Sequence, residues 1–466
     1  MQTMSLQQAA VITKGHLVGE NVSFNAISTD TRKIQQGDLF VALQGENFDA
    51  NDFVEQANKN GAVAAIVSAE ISVDMPYVRV DDTLLALTQI AKEQRKALDI
   101  PLVAITGSNG KTSVKEMLAS ILSGSNKVLA TEGNLNNQIG VPLTLLRLTV
   151  EHDVAVIEMG ASHSGDIAHL CDIAAPTVAI LNNVGSAHLE GFGSIQGVAN
   201  AKGEIVSGVS ETGTAILNQE EPWLDQWLAL LGNRRVIRFG WSDNADVWAD
   251  IESVQTGIFN GQFKTTFILH YQQEQVEIQL NLIGTHNVLN ALAAASAAIS
   301  LGESLTDIKE GLERLMVVKG RMQSLKGVNN SVVINDCYNA NPKSFEAAMA
   351  CLKNIQQPVW LVLGDFAELG TESMQIHRQL GADIETSHIE RFYAVGEQMK
   401  VAVNEFNKHS KSPNRQAVHF STKDALAVHL EHELSADTVI LLKGSRSQGL
   451  ETIVEKITLK EDSVCC

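Results

Sequence analysis

The stretch PLVAITGSNGKTSVKEM, residues 101–117, combines a strand, a glycine-containing turn and a helix in one run. LVAIT is a short apolar segment of the kind that forms a buried strand. After the turn, apolar residues recur at i, i+3, i+4, i+7 and i+8, which places them on one face of a helix. These residues are Val114, Met117, Leu118, Ile121 and Leu122. Lys111 and Thr112 therefore stand at the mouth of a helix that follows a strand.

The turn has the features of a phosphate site. A helix N-terminus offers unpaired N–H groups and a positive dipole end, Gly107 and Gly110 let the backbone approach a ligand, and Lys111 adds charge. The hydroxyl of Thr112 could ligate Mg²⁺. The usual phosphate-loop pattern has a glycine where this chain has Ile105. The alternative is a tight strand-to-helix turn with a solvated lysine, but the flanking strand and helix favour phosphate binding.

Composition narrows the class of protein. The 466 residues include 54 acidic and 35 basic ones, for a net charge of −19. Nucleic-acid binding usually needs a basic face, so we expect no nucleic-acid partner. No apolar run reaches the ~18 residues that span a bilayer, and the N-terminus lacks the basic and apolar regions of a secretion signal. Five scattered cysteines without a metal-ligand spacing fit a reducing cytoplasm.

The order of apolar runs predicts an α/β protein of three domains. Short strands and helical segments alternate up to Pro101, where a new series begins, so the predicted N-terminal domain covers residues 1–98. A doubly wound parallel sheet is expected over 99–317, with a small antiparallel insertion after Gly240, where the apolar period changes to two. The strand-helix alternation resumes over 318–466 and predicts a second doubly wound domain.

Three residues of the central segment could complete the phosphate site. Glu158 ends the apolar strand DVAVIEMG, at the sheet edge where doubly wound folds bind ligands, and could be a second Mg²⁺ ligand. His188 lies on a loop after the next strand, and Lys202 on the helix that follows. The alternatives are an ordinary strand-end glutamate, a hydrogen-bonded histidine and a solvated lysine.

Polar residues further along the chain could read the rest of a nucleotide. Asn287 and Asn290 are three apart on a helix, so their amides share one face and could bind a base or ribose. Helix capping and interhelical hydrogen bonding are the alternatives. Arg321 follows in VKGRMQ, and Asp336 ends the strand VVIND, where other doubly wound proteins hold a ribose-binding acid.

Taken together, TGSNGKT, HNVLNALAA, KGR and NDCYNANPKSFEAAM make the whole chain resemble the Mur ligases, the ATP-dependent amide-forming enzymes of peptidoglycan synthesis. DCYNANP at 336–342, GDFAELG at 364–370 and KGSR at 443–446 resemble the family member that adds D-alanyl-D-alanine to UDP-N-acetylmuramoyl tripeptide. The resemblance implies an N-terminal UDP-sugar domain, a central ATPase and a C-terminal Rossmann-like domain that receives the amine. It also implies ATP and Mg²⁺ as cofactors, and we expect a monomer.

The resemblance also assigns residue roles. It implies that ATP is bound by Gly107, Ser108, Asn109, Gly110, Lys111, Thr112, Ser113, Asn287, Asn290, Arg321 and Asp336. It implies metal ligation by Thr112, Glu158, His188 and Lys202, the last as a carbamate formed from CO₂, with Lys111, His188 and Lys202 as catalytic residues. Substrate contacts are implied for Asp30, Arg32, Asn136, Asn137, Asn339, Asn341 and Arg446.

Two other classes of protein share part of this pattern. A P-loop NTPase or small-molecule kinase would explain the phosphate turn but not a second doubly wound domain carrying DCYNANP and KGSR. A catalytically silent nucleotide-binding scaffold would explain the fold, but it would not need the lysine, threonine, glutamate and histidine together. Release of ADP only when both a nucleotide-sugar peptide and a dipeptide amine are present distinguishes the ligase from both.

Overall fold

The computed structural model describes residues 1–45, 48–185, 189–259, 262–315, 319–353, 355–410 and 415–459. Its strands form a five-stranded, a ten-stranded and a six-stranded sheet, together with one two-stranded ribbon. Helices lie between successive parallel strands of each large sheet, so the predicted α/β class with three domains is confirmed. None of the helices in these ranges is both long enough and apolar enough to cross a membrane.

The N-terminal part carries a five-stranded sheet in the order β2-β7-β6-β5-β4, parallel except between β2 and β7. Its strands are β1 Met4–Ser5, β2 His16–Val18, β3 Ser23–Phe24, β4 Ile27–Ser28, β5 Leu39–Val41, β6 Ala64–Val67 and β7 Tyr77–Arg79. Its helices are α1 Leu6–Thr13, α2 Val54–Lys59 and α3 Thr83–Lys96. β5 and β6 are apolar and buried along their whole length, as inner parallel strands are.

The central sheet runs β9-β10-β8-β11-β12-β13-β14 in parallel, and β16 then joins β14 antiparallel and pairs with β15 and β17. Its strands are β8 Leu102–Thr106, β9 Val128–Ala130, β10 Val154–Glu158, β11 Val178–Leu181, β12 Thr214–Asn218, β13 Arg235–Gly240, β14 Val247–Trp248, β15 Gln255–Phe259, β16 Gln262–Tyr271 and β17 Glu274–Leu280. Its helices are α4 Lys111–Leu122, α5 Gly140–Leu145, α6 Asp166–Ala174, α7 Leu189–Phe192, α8 Ile195–Gly208, α9 Leu224–Leu228, α10 Thr285–Ser300 and α11 Leu305–Arg314. The period-two segments thus extend the edge of the parallel sheet.

The C-terminal sheet runs β18-β19-β23-β20-β21-β22, and only β18 is antiparallel. Its strands are β18 Gln323–Lys326, β19 Val332–Asp336, β20 Val359–Gly364, β21 Arg391–Val395, β22 Ala417–Phe420 and β23 Val439–Lys443. Its helices are α12 Pro342–Leu352, α13 Ser373–Thr386, α14 Met399–His409, α15 Lys423–Glu433 and α16 Glu451–Ile457. Separate apolar clusters cover its two faces, as the doubly wound arrangement requires.

Short 3₁₀ helices occupy Thr31–Lys33, Ala50–Phe53, Ile251–Ser253, Val328–Asn330, Gly370–Glu372 and Arg446–Gln448.

Helix α3 joins the first two parts of the molecule. Its apolar face lies in one cluster with residues of the first sheet and with α5 and α6 of the central part. The buried Arg95 side chain of α3 donates to the Ala174 carbonyl at 2.9 Å, and Gln94 donates to the Leu148 carbonyl at 2.8 Å. The N-terminal and central parts therefore share a core across the predicted boundary at residue 98, while the predicted boundary at 317 lies outside the described residues.

Candidate active site

The candidate site lies where the parallel strands of the central sheet end. β10, β8, β11 and β12 are neighbours in that order, so the segments that follow them meet at one sheet edge. Those segments are Glu158, the turn 107–110, residues 182–185 and residues 218–221. They line one cavity of about 1090 Å³, whose other wall is built by C-terminal residues. A cleft of this size between two domains suits a nucleotide and a second substrate.

The phosphate turn is fixed by close packing. Gly110 has φ +80°, and a Cβ atom there would lie 2.3 Å from Asn290 Oδ1 and 2.5 Å from Asn182 Nδ2, so only glycine fits. α4 begins at the next residue, Lys111. The Lys111 Nζ atom donates to the Gly107 carbonyl at 2.7 Å, folding the side chain back over the turn. The strand, turn and helix predicted from the sequence are present.

Residues 183–185 brace the turn from the neighbouring strand. Ser108 N–H donates to the Asn183 carbonyl at 2.9 Å, and Asn109 N–H donates to Asn183 Oδ1 at 2.9 Å. The Ser108 hydroxyl accepts from Gly185 N–H at 2.8 Å. The backbone groups of 108 and 109 are therefore held by a second loop, which sets the shape of the turn.

Thr112, Glu158 and Asn136 form a buried chain of hydrogen bonds. The Thr112 hydroxyl donates to Glu158 Oε2 at 2.9 Å, and Asn136 Nδ2 donates to Glu158 Oε1 at 2.7 Å. Arg321 Nη2 donates to the same hydroxyl at 2.8 Å. A hydroxyl and a carboxylate beside a phosphate turn are hard oxygen ligands of the type that Mg²⁺ takes, so these two residues fit the implied ion. Among the described residues, no three or more His, Cys, Asp or Glu side chains cluster as a metal cage.

Two lysines give this edge an unusual electrostatic character. Lys202, on α8, is 2% exposed, and burial, with the nearby charge of Lys111, lowers its pKa to about 7. Burial is also the main cause of the lowered pKa of Lys111, with Arg321 adding to it and Glu158 opposing it. Lys202 Nζ lies 5.9 Å from the centre of the Phe192 ring. His188, the other predicted member of this set, lies outside the described residues.

Asn287 and Asn290 share one face of α10, and both are buried. Asn287 Nδ2 donates to the Ile283 carbonyl at 2.9 Å, and its Oδ1 accepts from Asn290 Nδ2 at 3.1 Å. Asn290 Oδ1 in turn accepts from Asn182 Nδ2 at 2.9 Å. Both amides are therefore engaged within the protein, but by bonds that are neither a helix cap nor interhelical, and base recognition stays a prediction for both residues.

The C-terminal wall centres on an ion pair. Lys443 Nζ donates to Asp336 Oδ2 at 2.6 Å, and Asp336 Oδ1 accepts from Met322 N–H at 3.1 Å. Lys443 is 2% exposed and ends β23, while Asp336 ends the adjacent strand β19. Both oxygens of the predicted ribose ligand thus already have a protein partner, so its role in nucleotide binding stays a prediction.

Two arginines of the C-terminal wall lie close to the ring of Tyr338. The Arg321 guanidinium lies 4.2 Å, and that of Arg446 5.5 Å, from the centre of the Tyr338 ring. Arg446 also pairs with Glu451. Asn339 Oδ1 accepts from the Ala340 N–H at 2.9 Å.

The N-terminus of α12 touches the central domain directly. Asn341 caps the helix through the Ser344 N–H, and its Nδ2 donates to Asn109 Oδ1 in the phosphate turn at 2.8 Å. Two predicted substrate residues, Asn339 and Asn341, thus have different surroundings, since only Asn341 bonds to the turn in the described structure.

The remaining predicted substrate residues are engaged locally. Asn137 Oδ1 accepts from the Gly140 N–H at 2.9 Å at the start of α5 and lines the same cavity. Asp30 caps a 3₁₀ helix and accepts two bonds of 2.9 Å from the Arg32 guanidinium, which lowers the Asp30 pKa to about 2. Asp30 and Arg32 belong to the N-terminal part and lie outside the described lining of the cavity.

The sequence reasoning did not single out several residues that line the site. Asn182 and Asn183 follow β11, and Glu221 follows β12. The signal was available, because polar residues directly after parallel strands meet at one edge. Lys343 reaches the site from α12, and no local sequence pattern predicts this position.

Comparison with known proteins identifies the family to which the chain is similar. Models of the Mur ligase family match three segments: the family catalytic domain over 23–122, the middle domain over 105–298, and the glutamate ligase domain over 320–446. Together they span most of the sequence.

Individual relatives match from end to end. The chain is 43% identical over 468 residues to the UDP-N-acetylmuramoyl-tripeptide--D-alanyl-D-alanine ligase of Escherichia coli, covering 100% of both chains. Among solved structures, MurF from Acinetobacter baumannii superposes with a TM-score of 0.88 at 35% identity, covering 98% of each chain. MurF from Thermotoga maritima, solved in complex with ADP, gives a TM-score of 0.80 at 28% identity, covering 93% of this chain and 96% of that one. With matching family models, a full-length relative and a shared fold, the chain belongs to the Mur ligase family.

Proposed function

We propose that this chain is an ATP-dependent ligase that joins D-alanyl-D-alanine to UDP-N-acetylmuramoyl tripeptide. The products are UDP-N-acetylmuramoyl pentapeptide, ADP and phosphate, in the synthesis of the peptidoglycan precursor. The observation that carries the proposal is the end-to-end match to a relative bearing that name, 43% identical over its whole length. A cavity between a phosphate turn and a second doubly wound domain supports it, because the reaction needs a nucleotide and an amine side by side.

The phosphate turn is proposed to hold the nucleotide. The N–H groups at the start of α4 and the Lys111 ammonium face the place where the β- and γ-phosphates would lie. Asn287 and Asn290 are proposed on the base side, with Ser108, Asn109 and Ser113 around the phosphates. Arg321 and Asp336 are proposed to close over the nucleotide from the C-terminal side.

The chemistry starts from an unreactive carboxylate. Its leaving group would be oxide, so a carboxylate oxygen of the tripeptide first attacks the γ-phosphorus of ATP, and the bond to the β-phosphate oxygen breaks. This gives an acyl phosphate and ADP. Lys111 stabilises the charge that spreads over the phosphoryl oxygens, and this step depends mainly on positioning and electrostatics.

Thr112 and Glu158 are proposed to hold Mg²⁺, with His188 and Lys202 at a second ion. When bound, Mg²⁺ supplies charge neutralisation of the phosphate oxygens. Lys202 has the chemistry for a carbamate: burial lowers its pKa to about 7, so much more of its amine is neutral at neutral pH than in an exposed lysine. The neutral amine adds to CO₂ and loses a proton, so the positive charge becomes a negative one with two hard oxygens.

The amine of D-alanyl-D-alanine then attacks the acyl carbon, and phosphate leaves. Arg446, Asn339 and Asn341 on the C-terminal domain are proposed to bind the dipeptide. Asn136 and Asn137 are proposed to meet the muramoyl peptide, and Asp30 and Arg32 the UDP end. Because an acyl phosphate hydrolyses readily, apposition of the C-terminal domain to the turn is expected to exclude water.

The proposal includes the place and organisation of the enzyme. We propose a cytoplasmic monomer with working units at 1–98, 99–317 and 318–466, binding the UDP sugar, ATP and the amine respectively. A nucleotide-sugar substrate, as named for the Escherichia coli relative, supports such a location.

The test is amine selectivity. With UDP-muramoyl tripeptide, ATP and Mg²⁺, phosphate release is expected to be far faster with D-alanyl-D-alanine than with D-glutamate or meso-diaminopimelate. Comparable rates with a single amino acid would reassign the chain to a sister ligase. ADP formation without either second substrate would favour a simple NTPase or kinase instead.

A further inference from the structure

Lys343 links the peptide group of Val184 to Glu221. The Val184 carbonyl oxygen accepts from Lys343 Nζ at 2.8 Å. The Glu221 carboxylate lies beside the same peptide, and its Oε1 is 3.8 Å from Lys343 Nζ. Glu221 belongs to the central domain, after β12, whereas Lys343 lies in the first turn of α12 in the C-terminal domain. The three residues form one contact across the domain interface.

Glu221 needs a cation at this place. Its side chain is 6% exposed, and its Oε2 is buried without a hydrogen-bond partner in the described structure. Burial raises the pKa of this carboxyl, and Lys343 opposes that rise. A buried carboxylate is costly unless a charge is close to it, so the Lys343 ammonium stabilises Glu221 only while the two domains are together.

Val184 lies in the loop that shapes the phosphate turn. Of the residues on either side of it, Asn183 accepts from the backbone N–H groups of Ser108 and Asn109, and Gly185 bonds to the Ser108 hydroxyl. The first turn of α12 also reaches Asn109 directly through Asn341. The C-terminal domain therefore contacts the phosphate turn once directly and once through the Val184 loop.

We propose that Lys343 is a positioning residue that, together with Glu221, clamps the Val184 peptide and so couples docking of the C-terminal domain to the shape of the phosphate turn. The clamp lies in the lining of the cavity, beside the phosphate turn. It strengthens nucleotide binding in the docked state by holding residues 183–185 against residues 108–109. This inference rests on the proposed function only in taking a nucleotide as the ligand of the turn.

The first measurement needs no ligand. Amide hydrogen exchange is compared in the full chain for the wild type, Lys343→Met and Lys353→Met. Lys353 is exposed at the other end of α12, so its replacement makes the same change of charge in the same helix. Lys343→Met is expected to speed exchange about tenfold in the peptide that covers 107–112, because Ser108 and Asn109 donate to Asn183. Unchanged protection in Lys343→Met would overturn the proposal.

The second measurement is calorimetric titration of ADP with Mg²⁺ into the same proteins and into Glu221→Gln, Lys343→Arg and the double variant Glu221→Gln, Lys343→Met. Glu221→Gln and Lys343→Met are each expected to raise the Kd about three- to tenfold. The double variant is expected to raise the Kd no more than either single variant, because the same interaction is removed each time. Lys343→Arg is expected within about twofold of wild type. Additive losses in the double variant would overturn the clamp.

The two measurements separate the possible failures. If the wild type does not bind ADP, the proposed function fails, and the exchange data still decide for or against the clamp. If the wild type binds ADP and all variants bind it equally, the clamp fails and the proposed function stands. Thermal unfolding of each variant checks that every comparison is made on folded protein. Lys343→Met is expected to lower Tm slightly, because it leaves the buried Glu221 carboxylate without its half-exposed cation.

Discussion

The central and C-terminal domains present the same edge of a parallel sheet to one cavity, and each places a buried lysine there. Lys443 of the C-terminal edge is 2% exposed and pairs with Asp336 at 2.6 Å. Lys202 of the central edge is equally buried, and its pKa falls to about 7, mainly because of burial and further because of the charge of another cation, Lys111. Equal burial thus produces opposite electrostatic outcomes at the two edges.

The difference separates a binding edge from a supporting edge. Buried like charges are unfavourable until an anion arrives, so the central edge gains stability when a polyphosphate or a carbamate supplies negative charge. A buried opposite pair is already neutral and orders the chain around it. Substitutions at the two edges should therefore affect different properties, activity in one case and stability in the other.

The largest effect is expected for Lys111→Ala. Removing one preorganised charge from the phosphoryl oxygens should lower kcat on the order of 10²–10³-fold. Initial rates of phosphate release measure it. Lys127→Ala, which removes an exposed lysine paired with Glu151, is the control and should change the rate less than about twofold. Near-normal turnover by Lys111→Ala would remove the turn from the mechanism.

A smaller loss, about tenfold to a hundredfold, is expected for Lys202→Ala, as for other groups that hold a metal site together. If Lys202 works as a carbamate, acetate or formate should fill the vacated place and restore part of the rate. Titration of either acid against the rate of the variant measures this. Full activity without rescue would show that Lys202 is a plain buried lysine, and a loss without rescue would leave its carbamate form unsupported.

The lowered pKa of Lys202 also predicts how the free energy of unfolding depends on pH. The folded pKa, about 7, is below the ordinary value of 10.5, so the neutral form is favoured by folding. In CO₂-depleted buffer, the free energy of unfolding should fall as the pH drops from the ordinary pKa of 10.5 to the folded pKa of about 7, and this contribution is fully lost below about 7. Lys202→Ala should remove this dependence.

At the C-terminal edge, Asp336→Asn should change stability as well as any nucleotide contact that Asp336 makes, because both of its oxygens already have protein partners. Asn keeps an acceptor for Met322 N–H but leaves Lys443 buried without its carboxylate, which should cost about 2–3 kcal/mol. Scanning calorimetry of the full chain measures the shift. Asp424→Asn, at an exposed pair with Lys456, is the control and should have little effect. A variant with intact stability but weakened ADP binding would make Asp336 a nucleotide ligand rather than a support.

Local patterns were sufficient for much of the fold. The apolar period of 101–122 gave the strand, turn and helix, and the alternation of strands and helices gave the α/β class. The change to period two after Gly240 gave the antiparallel segments. It could not show that they join the edge of the central sheet, because strand order depends on contacts that are distant in the sequence.

The candidate site was less accessible from the sequence for the same reason. Lys111, Thr112 and Glu158 follow strands, and the structure brings them together. The sequence could not predict the hydrogen bonds of the Asn287 side chain, since a spacing of three residues indicates a shared helix face but not the bonding partner. Glu221 and Lys343 are 122 positions apart in the sequence, and no local rule links them.

The shared core around α3 has a consequence for synthesis of the chain. The ribosome releases α3 before α5 and α6, which cover its apolar face. The buried Arg95 side chain likewise gains its hydrogen bond to the Ala174 carbonyl only after α6 has been synthesised. A nascent chain that ends near the predicted first boundary therefore exposes the part of the α3 apolar face that α5 and α6 cover later, and exposed apolar surface of this kind is bound by chaperones. We expect the joined N-terminal and central unit to fold first on the ribosome and the C-terminal domain to follow.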